Sequence, residues 1–298
     1  TDQRPTEPLQ SLTLPLRVDL PFQIDTVVWQ GTPEAEVTAL KGHYRYTGSH
    51  HQLAINHLQW AQGRYAAQLK LQGAAPMEVE AHLRGSIQTP LPEQDMRLQT
   101  LATAHITGNL SGADATVQLQ ANAYARDVVL EENSSDLAPP TPSEEEDIAS
   151  SQTLRAQVRA TVHPWQPQPL AAAQAQLNQV DVSLFWPDGP HTLLSGEVQA
   201  GPADDGWNLR TNLRNAIPGP WDLRSLPVHQ LEADVRQDGS HWTVEEAQIN
   251  LGTGHITAQG SFDTQTQAVQ GAALLHQVSP AALWSTLDPT PLKGQLTA

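Results

Sequence analysis

Two adjacent imidazoles, His50 and His51, are the first side chains whose types could do chemistry, since a histidine pair can chelate zinc. In a strand, neighbouring side chains leave opposite faces of the backbone, so these two rings are badly placed to share one ion. A solvated loop pair is the simpler reading. The segment GTGHIT, 252–257, opens like a dinucleotide-binding loop, but Thr257 stands where the third glycine belongs, and no βα unit surrounds it. Glu144, Glu145, Glu146 and Asp147 gather the oxygens that calcium prefers. Consecutive carboxylates lack the spaced geometry of a calcium loop and read as a solvated linker. Asp204 and Asp205 fall in a turn, where carboxylates commonly satisfy backbone N–H groups. His163, in VHPWQP, reads as a strand-end residue beside a turn. There is no Gly-x-Ser-x-Gly, no P-loop and no His-Glu-x-x-His. No pair of carboxylates is singled out for sugar hydrolysis, although strands can bring distant acids together. The expectation is a chain that is not an enzyme, with no catalytic residue, no metal site and no cofactor.

The elements that would position any such group are strands. In TLRAQVRATV, Leu154, Ala156, Val158, Ala160 and Val162 take one face, and Arg155, Gln157, Arg159 and Thr161 take the other. The same period of two orders Val117, Leu119, Ala121 and Ala123, then Leu231, Ala233 and Val235, then Ile256 and Ala258. Alternation slips near Asn56-His57 and near Asn178-Gln179, where bulges are expected to absorb the extra residue. Asp238-Gly239 suits a type I′ hairpin turn. Residues 58–71, moved by 191 positions, place Trp60 on Leu251, Gly63 on Gly254 and Tyr65 on Ile256, a weak internal repeat of strand, glycine turn, strand. SPAALWSTL, 279–287, reads as a short helix with Ser279 as N-cap and an apolar stripe of Leu283, Trp284 and Leu287. PGPWDLRSLP, 218–227, reads as a second helical turn. Trp60, Tyr65, Trp207 and Trp242 either seal strand ends or line a ligand surface.

Three regions follow: a β segment over 1–130, a disordered acidic loop over 131–152, and a second β segment over 153–298. The loop rests on EENSSDLAPPTPSEEED, 131–147, which has seven acids, three prolines and no base. The hydrophobic fraction of 39%, with three Phe and two Met, is too thin for a three-layer core and suits a sheet with one wet face. A net charge of −16 argues against nucleic acid as a partner. The absence of cysteine leans towards an extracytoplasmic setting. With no initiating Met, and with LKGQLTA ending inside a strand pattern, a fragment of a longer protein is expected, and the rest of that chain is its neighbour.

YRYTGSHHQLAINHLQWAQGRYAAQLKLQGAAPMEVEAHLRGSI, 44–87, and LLHQVSPAALWSTLDPTPLKGQLTA, 274–298, resemble the repeating strands of the AsmA-like family, and its TamB branch in particular. The shared elements are a Leu/Trp strand, a glycine turn, an alternating strand, an Ala-Pro step, and the short Ser-Pro-Ala-x-Leu helix before x-Leu-x-Gly-x-Leu. The likeness covers most of the chain apart from 127–152. It implies a mainly β fold, an elongated curved antiparallel-type sheet folded into an open apolar trough, the β-taco, with one or two short helices. It further implies a periplasmic protein of a Gram-negative bacterium, anchored to the inner membrane by a segment outside this sequence. Such a protein would carry phospholipids between the two membranes, holding their acyl chains in the trough. Leu69, Leu71, Val117, Leu119, Val158, Val162, Leu209, Val235, Ile249 and Ile256 share the parity expected of groove-lining residues. The resemblance also supports a scaffold for outer-membrane protein assembly with a TamA-like partner. A carbohydrate-active β-helix protein is a third reading.

Overall fold

A computed structural model describes residues 8–29, 35–60, 63–90, 96–129, 153–166, 168–184, 189–203 and 206–298. The chain is mainly β, about 70% strand, in a sixteen-stranded antiparallel sheet that is not closed into a barrel. It divides into two compact units, Thr1–Pro169 and Leu170–Ala298. The acidic segment 131–152 lies outside the described residues.

The first unit holds β1 (Val18–Trp29), β2 (Ala35–Tyr46), β3 (His50–Trp60), β4 (Gly63–Gln72), β5 (Glu78–Pro90), β6 (Met96–Asn109), β7 (Val117–Val129) and β8 (Thr153–Val162). The second holds β9 (Leu170–Val180), β10 (Leu194–Ala203), β11 (Gly206–Asn215), β12 (Gln230–Asp238), β13 (His241–Leu251), β14 (Gly254–Asp263), β15 (Val269–Val278) and β16 (Leu292–Thr297). Within each unit every strand pairs antiparallel with its sequence neighbour, a meander built from local hairpins.

Both expected bulges are present. Ile55 pairs with Ala67 and Leu58 with Tyr65, so Asn56 and His57 share one step of the ladder. Leu177 pairs with Gly196 and Val180 with Leu194, and Gln179 between them has φ +52°. The repeat also corresponds to structure: Trp60 pairs with Gly63, and Leu251 pairs with Gly254, at matching ends of two hairpins. A side chain at Gly254 would run into the Gln277 carbonyl, so the position needs glycine.

Two local expectations are corrected. In the β12–β13 hairpin Asp238 pairs with His241, so the loop is Gly239-Ser240 and not Asp238-Gly239. Only Gly239 of the two has positive φ, +55°, which is the requirement of a type II′ turn and not of type I′. The helix near 279–287 is a single turn, Pro280–Leu283. The Ser279 hydroxyl does not cap it but donates to the Pro289 carbonyl at 3.3 Å. Leu283, Trp284 and Leu287 are exposed and form no packed stripe. The second helical turn is a 3-10 turn at Trp221–Leu223. Asp222 accepts the Ser285 N–H at 2.8 Å and the Ser285 hydroxyl, joining the two turns.

Polar turns are locked by carboxylates. Asp263 Oδ1 accepts the Gln265 N–H at 2.9 Å and the Thr266 N–H at 2.7 Å, while Oδ2 accepts the Ser240 hydroxyl at 2.9 Å. The Thr266 N–H, followed by the Ser240 hydroxyl, lowers this carboxyl from 3.8 to about 2. A depressed folded pKa gives stabilisation that is complete above the unfolded value and is lost as pH falls through about 2. Asp263→Asn should therefore lower the urea midpoint at about pH 5, and the gap from wild type should close as both proteins approach about pH 2. A gap that does not vary with pH would contradict this account.

Candidate functional site

In an antiparallel ladder, residues directly opposite each other project from the same face, so register converts the strand patterns into surfaces. In the first unit, Leu53, Leu69, Ala81, Ile106, Leu119 and Ala160 form one row across β3 to β8. A parallel row runs through Leu71, Val79, Gly108, Val117 and Val162, and a third through Ala67, Leu83, Ala104, Ala121 and Val158. The six expected residues of this unit, Leu69, Leu71, Val117, Leu119, Val158 and Val162, thus lie on one face.

The second unit repeats the arrangement. Leu209, Val235 and Val244 are consecutive in one row, Thr211, Ala233, Ala247, Ala258 and Ala273 make the next, and Leu213, Leu231, Ile249, Ile256 and Leu275 the one after. Glu245 is the extra residue between Val235–Val244 and Asp234–Glu246, and it keeps Val244 on the face of Ala247. Leu209, Val235, Ile249 and Ile256 therefore share one face within their unit. All ten residues are half-buried. A close-packed core would hold such side chains almost wholly out of water. Neighbours within the same sheet already give half burial.

The opposite faces are polar. Gln52, Lys70, Glu80 and Thr107 make one cross-strand row, and Gln68, His82, His105, Gln120 and Arg159 make another. A depression of about 410 Å³ opens here, among His43, Arg45, Gln52, Lys70, Glu80 and His82. A smaller one of about 190 Å³ lies on the polar face of the second unit, between Arg210, Asn212, Glu232, Asp234, Glu246 and Gln248. Ala54, short among long polar neighbours, leaves room for the first hollow.

The aromatic residues differ in burial. The Tyr65 ring covers Gly85, where a Cβ would fall 2.5 Å from Tyr65 Cδ1, and it lies 6.1 Å from the Trp60 ring. Its burial raises the Tyr65 hydroxyl above its usual pKa. This packing fills the gap left by glycine, which is a structural role. Trp60 and Trp242 keep 50% and 39% of their surface exposed, leaving apolar area on the same faces as the leucine rows.

His51 departs from the expected solvated pair. It lies in β3, 5% exposed, on the apolar side at the strand ends. Its Nε2 donates to the Leu12 carbonyl at 2.6 Å, its Nδ1 accepts from the Tyr44 hydroxyl at 2.7 Å, and its ring packs 4.5 Å from that of Tyr46. Both nitrogens are thereby engaged, and the Nε2 bond helps hold residues 9–12 against the turns of β4–β5 and β6–β7. Leu9 bridges Ser111 and Ser11 bridges Ala74 in the same segment. Met77 and Ala115 are wholly buried at this end. His163 does stand beside a turn, its N–H donating to the Pro169 carbonyl at 2.6 Å. Glu144 to Asp147, Asp204 and Asp205 lie outside the described residues. No described helix is long and apolar enough to cross a membrane.

Sequence reading missed the row partners Leu53, Ile106, Leu213 and Leu275. Their parity within each strand was the available signal, but only register shows that they continue the same rows. No protein-family model, curated protein or solved structure matches this chain.

The facial assignment has a direct test. Leu119→Asp places a carboxylate without a partner in an apolar row and should cost about 1–3 kcal/mol in urea unfolding, with loss of apolar-dye fluorescence. Gln118→Asp, on the exposed polar side, should stay within about 0.5 kcal/mol of wild type and keep its dye signal. Equal effects at both positions would overturn the assignment.

Proposed function

We propose that the apolar rows bind phospholipid acyl chains and that the protein works as a non-enzymatic conduit for phospholipids across an aqueous space. The observation that carries this reading is the run of apolar side chains across β3 to β8, most of them half-buried, with a comparable apolar face in the second unit. Burying a methylene is worth ~0.8 kcal/mol, so a two-tailed lipid crossing bare water faces a cost on the order of 20 kcal/mol. Rows of Leu, Val, Ile and Ala lower that cost without an ionic anchor. A path of weak, similar positions lets a ligand leave each one, the same condition that permits conduction through a pore. The likeness to AsmA-like sequences supports the periplasm as the setting and an inner-membrane anchor outside this chain.

A second reading, an assembly scaffold for outer-membrane proteins with a TamA-like partner, rests on the same likeness and would work by pairing strand edges with client strands.

The two readings separate in cells. A photo-crosslinker at Val158 or Ile256 should capture phospholipid, whereas one at Arg159 or Thr257, on the opposite faces, should not. Val158→Arg should interrupt lipid flow while the protein stays folded, because an unpaired charge in an apolar row is costly for a passing acyl chain. Equal crosslinking from both faces, or unaltered lipid traffic with a folded Val158→Arg protein, would reject the conduit and favour the scaffold.

A further inference from the structure

We propose that Glu80, His82 and His105 form a binding site for a divalent transition-metal ion of the zinc class on the polar face of the first unit. Glu80 and His82 are two residues apart in β5 and project from one side of the strand. His105 sits directly opposite His82 in β6. One ligand atom from each of the three lies within 4.8 Å of the other two. The Glu80 Oε1 is 3.4 Å from His82 Nε2, and the two imidazoles stack with centroids 4.3 Å apart at 17°.

The three ligand atoms are near enough to share an ion once the two rings turn out of their stack, so that their in-plane lone pairs converge. Bonds of about 2.0–2.2 Å in a tetrahedral shell place ligand atoms about 3.3–3.6 Å apart, a separation that side-chain rotation alone can reach. The β5–β6 ladder already fixes the three backbones, which leaves only rotamer freedom to lose on binding. Two imidazoles and one carboxylate suit zinc, copper or nickel, whereas calcium and magnesium prefer all-oxygen shells. Glu80 and His105 are exposed and His82 is half-buried, so an ion has a path in and water can complete the shell. Glu80 and His82 also border the 410 Å³ depression, which gives the open side room for that water.

The second unit supplies an internal comparison. His255 and His276 are also cross-strand partners, stacked at 4.8 Å and 24°. They belong to no group of three metal-ligating side chains among the described residues. Histidine stacking alone is therefore common to both units, and the carboxylate two residues from His82 distinguishes the proposed site. The site lies opposite the leucine rows and does not depend on their carrying lipid.

Titrating the untagged full chain with Zn²⁺ in a calorimeter should give a saturable one-to-one isotherm. His82→Gln and His105→Gln should each weaken it by at least about tenfold, and Glu80→Gln should weaken it less than either. His255→Gln should leave it unchanged. A second measurement does not rely on variants: the zinc-edge X-ray absorption spectrum of wild type with one equivalent of Zn²⁺ should carry the scattering of two imidazoles. Absence of a stoichiometric isotherm, affinity unaltered in both His82→Gln and His105→Gln, equal loss in His255→Gln, or a spectrum with fewer than two imidazoles would each overturn the proposal.

Discussion

The structure depends on side-chain parity being carried from strand to strand. Opposed residues of an antiparallel ladder share a face, so one uncompensated extra residue would turn every later leucine towards the wet side. The chain meets this constraint locally. Asn56-His57, Asn178-Gln179 and Glu245 each add a residue, and each is taken up in a bulge that returns Leu58, Val180 and Val244 to the faces of Ile55, Leu177 and Ala247. Without those bulges the rows in either unit would stop at the first irregularity.

Parity also explains why so little large apolar side chain suffices. Each row mixes leucine or isoleucine with alanine or glycine, as in Leu69, Ala81 and Ile106, or Val79, Gly108 and Val117. Such a row fills its own plane and does not interlock tightly with a covering layer. Of the nine apolar side chains buried among the described residues, Tyr46, Met77, Val79, Ala115, Leu251 and Val278 lie at or beside strand ends, whereas Ala81, Leu101 and Ala247 lie within strands. Full burial is thus more frequent at hairpin ends, while most of the apolar side chains along the strands stay half-buried.

Much of this was legible from local pattern. Alternation identified the strands and the common parity of residues such as Val158 and Ile256, and its lapses located two bulges. Features set by distant partners were not legible. His51 looked like half of a solvated pair because its acceptor, the Leu12 carbonyl, lies 39 residues away. Glu80, His82 and His105 drew no notice because two of them meet only through the β5–β6 register. Turn chemistry was readable to within one residue: the Asp-Gly signal was correct in marking a hairpin, but pairing of Asp238 with His241 moved the loop forward. The Ser-Pro-Ala-x-Leu segment stops after one turn, with its apolar residues left without a packing surface.

The segment at residues 9–12 gives the first unit a distinctive order of assembly. The hairpins from β2 to β7 close over short connections, so their loop entropy is small and they need not wait for distant partners; β7 and β8 are separated by residues 130–152. Leu9 meets Ser111 and Leu12 meets Gly73 only after the turns that present those partners exist. This latch therefore forms late in folding and opens early in local unfolding, while the central ladders remain intact. Protection of the Leu12 amide would then report completion of the first unit, and protection within β5 and β6 its beginning.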